Sequence, residues 1–204
     1  MTPSRVAQYK MWKNPLYKWD SYIENQRRKE KICDPWSQKI IEHCEGSSVV
    51  FNSGGLFFKD FMPDITVVEV LPCPIKSVTG MLYSSQGIDF DKEFDNLILI
   101  NPISLKYNHS ILDSLVNQGI NRSGTSKPNL LKWIKKPGRI YLSVSDWHIY
   151  YDRLKYSVVD MVAMQLRELQ KTGIQCEHLE ITSVNSDVEN GNIKMILSTK
   201  DSII

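Results

Sequence analysis

The stretch "SSVVFNSGGLFF", Ser47 to Phe58, runs an apolar segment directly into a paired glycine. A short continuous apolar run bounded by turn signals fits a strand buried on both faces, as in a parallel sheet, and the run predicts one over Ser48 to Phe51. Gly54-Gly55 either simply turns the chain or lets the backbone approach a nucleotide-type ligand closely, since glycine carries no Cβ. Which of these holds depends on what surrounds the strand.

Upstream, Asp34-Pro35 opens a short helix: Asp34 can cap, Pro35 suits the first helical position, and Trp36, Ile40, Ile41 and Cys44 share a face, with Gly46 as the stop. Downstream, Leu56, Phe57, Phe58 and Phe61 form a brief amphipathic stretch, and Ile65 to Val70 reads as a second buried strand with Glu69 near its carboxyl end. Pro72 and Pro74 prevent a regular ladder from continuing, and a short strand is possible near Met81-Leu82-Tyr83. Asn96 to Ile100 is apolar on both faces, as a central parallel strand should be, and ends at Asn101-Pro102. A helix is expected over Ser110 to Asn117, followed by the polar stretch "NQGINRSGTSKPN", which reads as mobile. Lys135 to Gly138 reads as a turn into a strand over Arg139 to Val144, with Asp146-Trp147-His148 just after it.

From Asp152 to Thr172, Leu154, Val158, Val162, Leu166 and Leu169 recur at helical spacing, and Gly173 stands where a C-terminal cap belongs. Gln175 to Val184 and Ile193 to Ser198 read as two further strands joined through Asn190-Gly191, a turn signal. Within the first of them the apolar parity slips by one, which a bulge near His178 would explain. Strands alternating with helices predict an α/β, Rossmann-like, mostly parallel sheet with helices on both faces and a C-terminal antiparallel β-hairpin.

Composition agrees with one α/β domain over residues 34–204 preceded by an arm, residues 1–33. At 204 residues the chain is long enough for one sizeable core, and 42% hydrophobic with 24% charged residues is ordinary for a globular protein. No apolar run approaches the roughly 20 residues of a membrane span, and Met1 to Tyr22 has no secretory apolar core, which points to a cytoplasmic protein without membrane contact. Richness in Ile, Lys, Asn and Ser matches an A+T-rich genome, such as many phages have, and carries no chemistry. Cys33, Cys44, Cys73 and Cys176 are scattered, and the four histidines do not join them in a metal spacing, so buried free thiols are expected and no metal.

The charge is uneven. Through Lys31 eight basic residues face three acidic ones, a surplus of five in a chain whose net charge is +2. Tyr9, Trp12, Tyr17, Trp19 and Tyr22 lie among those cations, so residues 1–31 could stack on bases and hold phosphates of a nucleic acid, or meet another acidic partner. The plainer alternative packs these aromatics on the domain's own surface with the cationic heads in solvent.

The order of these elements, from Asp34 to Ser198, resembles the class I S-adenosylmethionine-dependent methyltransferases. The resemblance implies S-adenosyl-L-methionine as cofactor, with Ser53, Gly54 and Gly55 in the loop that cups its methionine part. It implies Glu69 as the acid for the ribose hydroxyls, since a carboxylate accepts two hydrogen bonds from a diol. Asp89 of "GIDFD" would lie near the adenine amino group, and Asn101 where many members position the methyl acceptor. Against the family's acid and three alternating glycines, this chain has Phe51, Ser53, Gly55 and Phe57. Asn101-Pro102-Ile103-Ser104 stands where amino-methylating members carry Pro-Pro-aromatic. The resemblance therefore implies either a methyltransferase with an unknown acceptor or a catalytically inactive relative serving as a binding or structural subunit.

Methyl transfer from a sulfonium needs alignment more than acid–base machinery. Asp146 and His148 could still serve as a general base for a hydroxyl or amine acceptor. Each site residue also has a plain reading: Gly54-Gly55 as a strand-to-helix turn, Glu69 as a solvated charge, Asn101 before Pro102 as a turn starter, and His148 as a surface residue beside a packed Trp147. Ser104 and Cys73 sit in no nucleophile-elbow pattern, and no phosphate loop of the G-x-x-x-x-G-K-[ST] type occurs.

Overall fold

The computed structural model describes residues 35–51, 58–59, 61–69, 80–81, 90–100, 111, 115, 130–148, 158–183 and 190–200. Helix α1 (Pro35–His43) leads to strand β1 (Ser48–Phe51), then β2 (Thr66–Glu69), β3 (Gly80–Met81) and β4 (Phe94–Ile100). A 3-10 turn (Leu130–Trp133) opens directly into β5 (Ile134–His148), which is followed by α2 (Val158–Lys171), β6 (Ile174–Ser183) and β7 (Asn190–Thr199). The strands form one seven-stranded sheet in the order β3-β2-β1-β4-β5-β7-β6. Neighbours from β3 through β5 are parallel, whereas β7 is antiparallel to both β5 and β6. Compared with a doubly wound order of 3-2-1-4-5-6, a single reversed strand is inserted before the last one.

Strand alternation divides the core between two faces. Val49, Phe51, Leu97, Leu99, Ile140, Leu142, Met195 and Leu197 pack with Val162 and Leu169 of α2 on one face. Val50, Val67, Ile98, Tyr141 and Ile196 pack with Trp36 and Ile40 of α1 on the other. Helices therefore cover both faces, and apolar residues point both ways because neither face meets water. Trp36 and Ile40 are buried one helical turn apart, and each burial contributes on the order of 2–3 kcal/mol before ordering costs. Gly173, at φ +81°, ends α2 in the left-handed region, donating its N–H to Gln170 O at 3.1 Å.

Two predicted turns prove to be parts of strands. Lys135 to Gly138 belongs to β5 as an irregularity: Phe94 pairs with Ile134 and Asn96 with Arg139, so β5 carries surplus residues between those pairs. Thr199 Oγ1 holds this detour, accepting from Gly138 N at 2.9 Å and donating to Lys135 O at 2.8 Å. Asn190 and Gly191 open β7 and pair with His148 and Trp147, because a long partner strand overrides the local turn preference. The parity slip in β6 is a register shift between Cys176 and His178, as the sequence predicts. Ile111 and Leu115 are helical and buried; the rest of Ser110–Asn117 and the polar stretch after it lie outside the described residues, as do the arm and residues 149–157. Among the described residues, no helix is long and apolar enough to cross a membrane.

Candidate functional site

The chain leaves β1 toward β2 and β3 on one side, and the next strand, β4, returns to the other side of β1. In open α/β sheets a reversal of this kind, outside the carboxyl ends of the two strands, is the usual position of a ligand crevice. The register fixes which residues reach it. Phe51, the last residue of β1, pairs with Val68 on one side and Leu99 on the other. Glu69 and Ile100, the last residues of β2 and β4, thus stand one position further along their strands than Phe51 does.

Ser53, Gly54, Gly55 and Asn101 lie outside the described residues, but the strands they follow, β1 and β4, end side by side at this rim. Glu69 is itself on the rim, at the end of the strand adjoining β1. Asp89 is also outside the described residues. Its neighbour Phe90 packs edge-on against Phe94, the first residue of β4, with ring centroids 5.2 Å apart.

Asp146 and His148 correct the expectation that they follow the strand. Ser143 pairs with Ile100, and β5 then continues past the end of β4, with Trp147 pairing with Gly191 and His148 with Asn190. Asp146 therefore stands about 10 Å beyond the level of Ile100, on an antiparallel ribbon that overhangs the rim. Between Val144 and Trp147 the register shifts, so this ribbon carries a bulge at Ser145-Asp146. Bulges of this kind re-aim a strand next to binding sites.

The opposite, amino-terminal edge holds a polar cluster that the sequence analysis did not single out. Asp95 accepts from Ser47 N at 2.8 Å, Ser47 Oγ at 2.7 Å and Lys135 Nζ at 2.8 Å. Lys135 and Ser47 together hold the Asp95 carboxyl down at about 2. Asn96 Nδ2 donates to Glu45 O at 2.7 Å and to Ser48 Oγ at 3.1 Å. These contacts align the starts of β1, β4 and β5, and hence the ends that form the rim. The available signal was the Phe94-Asp95 pair leading into the apolar run.

The thiols described are structural. Burial pushes Cys44 up to about 11 and raises Cys176, so both stay protonated at neutral pH and make poor nucleophiles. Burial raises the Tyr141 hydroxyl as well, and it donates to His43 O at 3.3 Å. Among the described residues no three His, Cys, Asp or Glu side chains group as metal ligands.

No protein-family model and no curated protein matches the chain by sequence. Solved structures do match it. A candidate hemolysin from Streptococcus thermophilus superposes with a TM-score of 0.52 at 12% identity over 87% of this chain, which spans 66% of that protein, just under two thirds. An S-adenosylmethionine-dependent methyltransferase from Clostridium acetobutylicum superposes with a TM-score of 0.50 at 10% identity, over 91% of this chain and 99% of its own. A second candidate hemolysin, from Lactococcus lactis, gives 0.50 at 10% identity over 86% and 87% of the two chains. Identities this low speak for shared architecture alone, and with the strand order above they give this chain the fold of the class I S-adenosylmethionine-dependent methyltransferases.

Proposed function

We propose that the chain is an S-adenosylmethionine-dependent methyltransferase whose cofactor lies at the β1/β4 crevice. One observation carries the reading: β1, which leads into Gly54-Gly55, is flanked at that rim by the strand ending in Glu69 and the strand leading into Asn101. A glycine backbone without Cβ atoms and an accepting carboxylate on adjacent strands suit an amino acid joined to a ribose.

In this reading Ser53, Gly54 and Gly55 approach the methionine part through the backbone, and Glu69 accepts from the ribose hydroxyls. Asp89 is assigned to the adenine side. The cofactor supplies a methyl group already activated on a sulfonium, so the protein's work is to align the acceptor and exclude water. Asn101 would orient the acceptor through its amide, and Asp146 or His148 on the overhanging ribbon would take its proton. The test is calorimetric titration with S-adenosylmethionine and with its demethylated product. Saturable binding that Glu69→Ala weakens supports the reading, and a flat titration at millimolar ligand removes it.

A second reading rests on the sequence of the loop. Phe51, Ser53, Gly55 and Phe57 leave one glycine where the family has three, and a Cβ at the other positions would oppose a close approach of the backbone to the ligand. The fold would then serve as a binding or structural subunit, with residues 1–31 holding a nucleic acid or another acidic partner.

A further inference from the structure

The two edges of the sheet differ in what they offer a neighbour. β3, at one end of the sheet order, has two residues, whereas β6, at the other, has ten, and among the described residues no strand pairs with its outer side. Alternate residues of β6 therefore turn their backbone N–H and C=O away from β7, toward the place of a further strand. Proteins blunt such an edge with lysine, proline or a bulge. The sequence of β6, IQCEHLEITS, has neither lysine nor proline. Its bulge, at the register shift between Cys176 and His178, interrupts only the first half; His178 to Ser183 pair in regular register with Ile196 to Gly191. The carboxylates leave little surplus charge, because Glu177 faces Arg139 at 3.4 Å and Glu180 faces Lys194 at 3.8 Å. Within the regular half, Leu179 is 40% exposed.

We propose that the regular half of β6 is a homodimer interface, pairing antiparallel with β6 of a second copy across a two-fold axis. Directly opposite residues of an antiparallel pair lie on one face of the sheet, so the axis passes between a residue and its own copy. Centred on Glu180, it would set two carboxylates directly opposite each other, which is unfavourable. Centred on Leu179, it would bring Ile181 against the partner's bulge at Glu177. Centred on Thr182, only Ile181 to Ser183 would pair and Leu179 would stay uncovered.

The register centred on Ile181 avoids all three. Ile181 then faces the partner's Ile181, Glu180 the partner's Thr182, and Leu179 the partner's Ser183. Ile181 packs against the α2-side core, so the pair continues that core across the axis. Thr182 is exposed and the Glu180 side chain is half exposed, so each Thr182 hydroxyl can donate to the opposing carboxylate, twice by symmetry. A donor and an acceptor flanking an apolar centre at matching spacing make this edge complementary to itself, which selects a second copy as its occupant. β6 lies three strand spacings from β4, on the order of 14 Å, so the pairing does not cover the β1/β4 rim.

The test is sedimentation equilibrium of the full chain at tens of micromolar, expected to give twice the mass of one chain. Thr182→Glu sets a second carboxylate opposite each Glu180 and is expected to weaken the dimer roughly tenfold. Thr182→Lys sets a cation there and is expected to leave it as tight or tighter. Ile181→Cys under a mild oxidant is expected to give a disulfide-linked dimer on a non-reducing gel, which the natural chain with its own cysteines does not. A monomeric natural chain overturns the proposal, and so does a Thr182→Glu variant, folded by circular dichroism, that dimerises as the natural chain does. Where Thr182→Glu fails to fold, the Ile181→Cys link decides, and its absence overturns the pairing. None of these readouts depends on cofactor binding, so the interface and the methyltransferase reading stand or fall separately.

Discussion

Asp95 accepts Lys135 Nζ on both carboxylate oxygens, at 2.8 and 2.9 Å, joining the second residue of β4 to the detour in β5. The same carboxylate receives the N–H and hydroxyl of Ser47, just before β1. Three parallel strands are thereby aligned from their amino-terminal ends, while the candidate crevice lies at the other.

Acid should therefore cost stability in a defined window. The Asp95 carboxyl is depressed in the folded state to about 2 from an ordinary 3.8, so its contribution is complete above about pH 4 and is lost as pH falls toward 2. Because the side chain is about a third exposed, solvent screening limits Asp95→Asn to a loss of about 1–2 kcal/mol by denaturant unfolding at neutral pH. That variant should also flatten the acid limb.

Two glycines with positive φ should respond differently to alanine. Gly46, at φ +84°, would place a Cβ 2.6 Å from Asp95 Oδ2, whereas Gly173, at φ +81°, has nothing within 4 Å. Gly173→Ala should cost about 1 kcal/mol from backbone strain alone. Gly46→Ala should cost distinctly more, by thermal or denaturant unfolding, because it also displaces the carboxylate.

Trp133 stacks on Phe51 with centroids 6.0 Å apart and planes 6° from parallel, and meets Phe90 edge-on at 5.0 Å. Truncation to alanine should destabilise the chain by about 3–5 kcal/mol, the range for a buried aromatic whose site cannot collapse.

The Cys44 thiol should be slow to alkylate. With its folded pKa near 11 against an ordinary 9.0, its thiolate fraction near pH 8 is about 100-fold below that of an unperturbed cysteine. Peptide mapping after iodoacetamide treatment should show weak labelling of Cys44 in the folded chain and full labelling in denaturant.

If residues 1–31 hold nucleic acid, deleting them should abolish retention on a single-stranded nucleic-acid column, and retention of the full chain should fall steeply with salt. Equal retention with and without the segment would assign any binding to the domain.

Elements set by apolar periodicity were legible in the sequence. Ser48–Phe51 is found as read, and the parity slip in β6 correctly locates the shift at Cys176–His178. What was not legible depends on partners distant in sequence. Lys135–Gly138 and Asn190–Gly191 have turn chemistry, yet Thr199 fastens the first and β5 pairs with the second. For the candidate site, the rim was legible because parallel strands end where polar residues begin, as at Glu69 and after Ile100. Asp146 and His148 were misplaced because no local pattern marks how far β5 extends beyond β4.

The reversed strand β7 has a consequence for synthesis. It lies between β5 and β6, although among the described elements it is the last in the chain. A nascent polypeptide can assemble the β1-to-β4 half early, but the far edge of β5 stays open until residues 190–199 leave the ribosome. Products truncated within that segment would expose Ile140 and Leu142 beside an unpaired edge, so translational errors late in the chain should yield aggregates rather than shortened, working proteins.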